Sequence, residues 1–133
     1  MTTLHHLAIT ALDLPESARF YNAILGQLGY TRGYTSDRLY TWHGPTPEIL
    51  LYTAEGDDRT PHTHGRPGWQ HAAFAVDDRD TILAVHKAVT DGGWTVVHEP
   101  REYPEYSDGY FAVFIADPSG VRIEVAHIPA PTS

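Results

Sequence analysis

From His6 the chain reads HLAITALD, in which Leu7 and Ile9 fall on one side and His6, Ala8 and Thr10 on the other, the period of two that marks a strand. The pattern returns at HAAFAVDD, where Ala72, Phe74 and Val76 oppose His71, Ala73 and Ala75, an offset of 65 residues from 6 to 71. Behind each strand lies a stretch with helical spacing, Pro15 to Leu28 and Asp80 to Gly92, each opening after an Asp that can cap it. The segment ends correspond as well. GPTPEILLYTA (Gly44 to Ala54) and DPSGVRIEVAH (Asp117 to His127) are both Pro-containing turns leading into alternating strands.

Between helix and closing strand each half has room for two more strands, near Tyr30 to Tyr34 and Leu39 to Trp42 in the first half and near Thr95 to His98 and Tyr110 to Ile115 in the second. The expected order is therefore βαβββ, twice. This predicts an α+β fold, two βαβββ modules (about 1–56 and 68–129) forming a curved mixed sheet around a metal-binding cleft. The Gly-, Pro-, Asp- and His-rich stretch Ala54 to Trp69 is their linker, and the last residues, PAPTS, are an unstructured tail. A length of 133 residues suits one such domain.

Parity places three chemically related residues on one face. In the last strand Val121, Ile123 and Val125 are apolar-facing, leaving Arg122, Glu124 and Ala126 opposite, so His6, His71 and Glu124 all lie away from the helices. Small residues beside each His leave open volume there. Two imidazoles and a carboxylate suit one divalent ion, Fe(II), Mn(II), Zn(II) or Ni(II), with positions left for substrate or water. A lone strand His is more often a satisfied core or surface residue; two at equivalent points of a repeat, with a Glu in the matching closing strand, favour ligation. His5 has the wrong parity, and His43, His62, His64, His86, His98 and His127 are read as loop, helix-surface or strand-end residues.

Composition narrows the partners. The formal charge is −8, and the nine Lys and Arg are scattered, which argues against nucleic acid or an anionic membrane. With no Cys, disulfides and thiolate metal sites are excluded. MTTLHHLAIT lacks the features of a secretion signal and no stretch reaches the roughly 20 apolar residues of a membrane span, so a cytoplasmic protein is expected.

HHLAITALDLPESARFY, GWQHAAFAVDD and ADPSGVRIEV together resemble the vicinal oxygen chelate superfamily, which includes glyoxalase I, bleomycin- and fosfomycin-resistance proteins and extradiol dioxygenases. The resemblance covers nearly the whole chain. It implies paired βαβββ modules forming a cleft, metal ligands His6, His71 and Glu124, and a homodimer with modules paired within or between chains. In glyoxalase I a fourth ligand, a Glu, comes from the closing strand of the first module; aligning Pro118 with Pro45 puts Leu51 at that place, and Glu48 is read as solvent-facing.

The implied activity is that of a metal-dependent enzyme of glyoxalase or extradiol-dioxygenase type, acting on a small substrate chelated through two oxygens. The alternatives are a metal-free, bleomycin-resistance-like binding protein and a fosfomycin-resistance-like thiol transferase. EPREYPEYSDGY (Glu99 to Tyr110) is read as a loop covering the cleft, with Tyr103, Tyr106, Tyr110 and Arg101 orienting an anionic or aromatic ligand and Tyr110 available as an acid or base.

Overall fold

The computed structural model describes residues 1–130, so the end of the PAPTS stretch lies outside the described residues. The elements run β1 (His6–Ala11), α1 (Leu14–Gln27), β2 (Thr31–Thr35), β3 (Leu39–His43), β4 (Glu48–Thr53), β5 (Ala72–Ala75), α2 (Arg79–Asp91), β6 (Thr95–Glu102), β7 (Phe111–Ala116) and β8 (Arg122–His127). They form two four-stranded mixed sheets, ordered β1-β4-β3-β2 and β5-β8-β7-β6. In each, the first strand pairs in parallel with the last and the other pairings are antiparallel. This is βαβββ twice.

The helix starts repeat as faithfully as the strands. The carboxylate of Asp13 accepts the Glu16 amide at 3.1 Å, and that of Asp78 accepts the Thr81 amide at 2.8 Å, each binding an N–H that the first turn leaves without a partner. Pro15 sits in the first turn of α1, where a missing N–H costs nothing. Each helix then lays its apolar stripe on a sheet: Phe20, Tyr21, Ile24 and Leu25 from α1, and Ile82, Val85 and Val89 from α2.

Parity behaves as expected in β1, where Ile9 and Ala11 are buried and His6, Ala8 and Thr10 exposed. One continuous core joins Ile9, Ile49, Leu51 and Trp42 of the first sheet to Val113, Ile115, Ile123 and Val125 of the second through both helices. The opposite face of each sheet is free of helices. On the second sheet that face carries its own small cluster, with Tyr103, Ala112 and Ala126 packed against Tyr110 and Phe114.

The modules are clamped by a polar knot under the β7–β8 turn. Asp117 is buried; its Oδ1 accepts the amides of Ser119 (2.8 Å) and Val121 (2.9 Å), and its Oδ2 accepts the Tyr21 hydroxyl at 2.6 Å, across from α1. Burial raises the Asp117 carboxyl above its ordinary range, opposed by these hydrogen bonds. Replacing Asp117 with Ala leaves three buried donors unmatched, and at 1–3 kcal/mol for each unmatched group a loss of about 3 kcal/mol or more is expected, measurable by urea unfolding.

The linker is also held. The His62 amide donates to Ser119 O at 2.9 Å, and Trp69 Nε1 donates to Arg122 O at 3.0 Å. It presses so closely on the turn that a Cβ on Gly120, whose φ is +88°, would meet His62 O at 2.4 Å. Glycine is required there on both counts. Among the described residues no helix is long and apolar enough to cross a membrane.

Candidate functional site

The helix-free face of the second sheet brings chemistry together. Register aligns Ala73 of β5, Glu124 of β8, Phe114 of β7 and His98 of β6 in one row across it. His71 lies just before β5, so its imidazole reaches along the same face. Its Nε2 stands 3.1 Å from Glu124 Oε1, and the Tyr110 hydroxyl donates to Glu124 Oε2. The Glu124 side chain is 4% exposed, whereas that of His71 is 36% exposed, so the pair sits at the floor of an open cleft.

Gln70 orients the His71 ring of that pair. Its amide nitrogen meets His64 Nε2 at 3.2 Å, which leaves its carbonyl oxygen to accept from His71 Nδ1. With the ring proton held at Nδ1, a neutral His71 presents an Nε2 lone pair to a carboxylate oxygen. Two lone pairs at 3.1 Å repel unless a proton or a cation lies between them. The same arrangement, an imidazole oriented from its far nitrogen, is what metal-binding histidines ordinarily have.

Tyr110 is held protonated. Burial, then its hydrogen bond to Glu124 and the charge on that group, raise its phenol well above the ordinary value. Tyr103 is raised more modestly, mainly by burial, against the lowering effect of Arg101.

The residues expected at the site fall in different places. His71, Glu124 and Tyr110 are brought together. His6 is exposed, its Nδ1 is 3.0 Å from His5 Nδ1, and it does not line the cleft beside His71. Among the described residues of one chain, no group of three or more His, Asp or Glu side chains is placed to hold a metal ion. His71 with Glu124 lies on one sheet and His6 on the other.

The counterpart of Glu124 needs correction. Ala8 of β1 pairs with Leu50, as its repeat equivalent Ala73 pairs with Glu124, so Leu50 and not Leu51 occupies the matching place. Leu51 is fully buried in the core. The reason is turn length: β4 begins at 48, three residues beyond Pro45, whereas β8 begins at 122, four beyond Pro118. A one-residue slip exchanges the two faces of a strand. For the same reason Glu48, read as solvent-facing, is the register partner of His6 and only partly exposed.

The covering loop also changes character. Glu99 to Glu102 belong to β6, and the rest is a tight turn closed by the Tyr103 amide donating to Tyr110 O at 2.8 Å. Tyr103 and Tyr106 stack with ring centroids 5.2 Å apart, and Tyr103 packs edgewise on Phe114. The tyrosines wall the cleft instead of lying over it. Arg101 is engaged internally: its guanidinium lies 3.7 Å from the Tyr103 ring centroid, donates to Glu102 O at 2.7 Å and lies 3.8 Å from Glu105.

The cleft has a volume of about 320 Å3, and it is lined in part by His64 and His98, which the sequence reading set aside, and by Gln70, which it did not single out. His98 packs edgewise on Phe114 at 5.5 Å. Its parity with Phe114 was the available signal for its face; Gln70 and His64 arrive through the fold of the linker, for which periodicity gives none.

Comparison with known proteins agrees with the fold. The Bacillus subtilis (strain 168) protein YqjT is 26% identical over 123 residues, covering 92% of this chain and 96% of the relative. A glyoxalase/bleomycin resistance protein from Albidiferax ferrireducens T118 superposes with a TM-score of 0.74 at 28% identity, covering 94% and 98%. Lactoylglutathione lyase from Agrobacterium tumefaciens shares the fold with a TM-score of 0.67 at 22% identity, covering 96% and 94%. The sequence pattern of one family matches residues 3–125, and the chain belongs to it: the Glyoxalase/Bleomycin resistance protein/Dioxygenase superfamily.

Proposed function

We propose that the protein is a divalent-metal-dependent enzyme of the glyoxalase or dioxygenase type, acting on a small substrate through two neighbouring oxygens, and that its metal site is composite. His71 and Glu124 of one copy would be joined by His6 of a second copy, with Glu48 beside it as a possible fourth donor. The observation that carries this reading is the approach of His71 Nε2 to Glu124 Oε1 at 3.1 Å with the ring proton committed to Gln70, an arrangement suited to a cation between them.

The donor set, imidazole and carboxylate without thiolate, fits Fe(II), Mn(II), Zn(II) or Ni(II). When bound, such an ion stabilises negative charge on two adjacent substrate oxygens. Glu124 would be held in orientation by the Tyr110 hydroxyl, which keeps its proton at neutral pH and donates it as a hydrogen bond. Tyr103, Tyr106 and Phe114 would shield one side of the substrate from water.

Pairing of copies is supported by the helix-free faces. Ala8 and Thr10 on one sheet and Ala73 and Ala75 on the other are exposed small residues, which leave room for a partner to approach. A second reading, a metal-free binding protein, draws on the same pair: a protonated His71 would satisfy Glu124 without any ion.

Elemental analysis separates the two. About one equivalent of metal per chain is expected after reconstitution, and less than about a tenth would favour the binding protein. Oxygen uptake with catechols under Fe(II), against isomerisation of thiol–aldehyde adducts under Ni(II) or Zn(II), then divides the enzymatic chemistries.

A further inference from the structure

The walls of the cleft beside His71 are richer in arginine than the rest of this acidic chain. Asp and Glu outnumber Lys and Arg by 17 to 9, yet the lining above the Glu124 floor holds two arginines, Arg101 and Arg122, and no further carboxylate. Lys and Arg are fewer than one residue in ten, so their concentration on one small concave surface points to a negatively charged occupant.

The two arginines are not equivalent. Arg101 is already bound by the Tyr103 ring, Glu102 O and Glu105. Arg122 forms no ion pair among the described residues, and its contacts are those of its backbone, in the ladder with Ala116 and as acceptor from Trp69 Nε1. It stands at the start of β8, two positions before Glu124 and on the same face, so its guanidinium borders the His71 and Glu124 pair without competing for Glu124, whose oxygens face His71 and Tyr110. Across the cleft, Phe114, Tyr103 and Tyr106 offer ring faces and edges.

The geometry points to an anion-binding position at Arg122, which takes the oxyanion group, a carboxylate or phosphonate, of a small aromatic ligand whose ring rests against Phe114 and the tyrosine wall. This goes with the enzymatic reading above by naming a substrate class, but the position itself is metal-independent. Guanidinium matches a planar carboxylate through two parallel hydrogen bonds, and a phosphonate nearly as well. Arg122 thus replaces Arg101 as the anchor.

The test is calorimetric titration of the full-length protein, stripped of metal with a chelator that is then dialysed away, using benzoate, phenylphosphonate and benzyl alcohol. Benzoate or phenylphosphonate is expected to bind about tenfold or more tightly than benzyl alcohol, and the arm that binds better identifies the oxyanion. Arg122→Met is expected to weaken that binding about tenfold, Arg122→Lys to restore part of it, and Arg101→Met to change it by less than about threefold. Equal affinity for benzoate, phenylphosphonate and benzyl alcohol in the wild type overturns the assignment, whatever the variants do. So does an Arg122→Met protein of native circular dichroism with unchanged affinity. Because no metal is present, failure here leaves the metal reading untouched, and a metal-free protein in the elemental analysis leaves this one untouched.

Discussion

Replacing Glu124 with Ala is expected to lower divalent-metal affinity by more than about 100-fold, beyond the 10–100-fold that loss of a merely supporting residue costs. Equilibrium dialysis against Mn(II) or Ni(II) measures it. Among the described residues Glu124 is the only carboxylate that reaches His71, and its side chain is 4% exposed, so its removal takes away that partner and also leaves the Tyr110 hydroxyl without an acceptor. Folding should survive, because the surrounding Ala112 and Ala126 belong to the small cluster on the open face and not to the main core. A variant that binds metal as wild type does would remove Glu124 from the ligand set.

The largest effect on stability is expected at Phe20. It is fully buried on α1, edgewise to Tyr21 at 5.0 Å and to Trp94 at 5.5 Å, and Trp94 stands at the entry to β6 in the other module. Phe20→Ala therefore opens a cavity where the two halves share their core, at a cost of about 3–5 kcal/mol. A domain of this size has about 5–15 kcal/mol to lose, so the denaturant midpoint should fall by about a fifth or more. A shift of under about 1 kcal/mol would mean that the modules do not depend on this contact.

Periodicity exposed most of the fold because the repeat is written in its clearest signals. Asp13 and Asp78 cap corresponding helices, and His6 and His71 open corresponding strands, each pair 65 positions apart, 78 minus 13 and 71 minus 6. Inward and outward positions of β1, β5 and β8 follow from alternation alone. The register of β4 does not, since it depends on how many residues the preceding turn consumes, and one residue moved Leu51 to the core and Glu48 to the face of His6.

Long-range placement was the other limit. Nothing in GRPGWQH reveals that Trp69 will bind Arg122 O and so carry Gln70 into contact with His71. Nor does spacing reveal whether His6 meets His71 and Glu124 within a chain. The tyrosines were legible as a group beside the site, while their packing against one another and Phe114, which turns a covering loop into a wall, depends on the β6–β7 pairing.

The composite site is tested most directly by mixing two inactive halves. His6→Ala and Glu124→Ala chains, each expected to hold less than about a tenth of an equivalent of metal alone, are unfolded, combined in equal amounts and refolded together with Mn(II). Random pairing makes half of the dimers mixed, and each mixed dimer regains one of its two sites, so the metal content should rise to roughly a quarter of the wild-type value. A mixture that stays at the level of the separate variants, with native circular dichroism and dimeric mass, contradicts a site shared between copies.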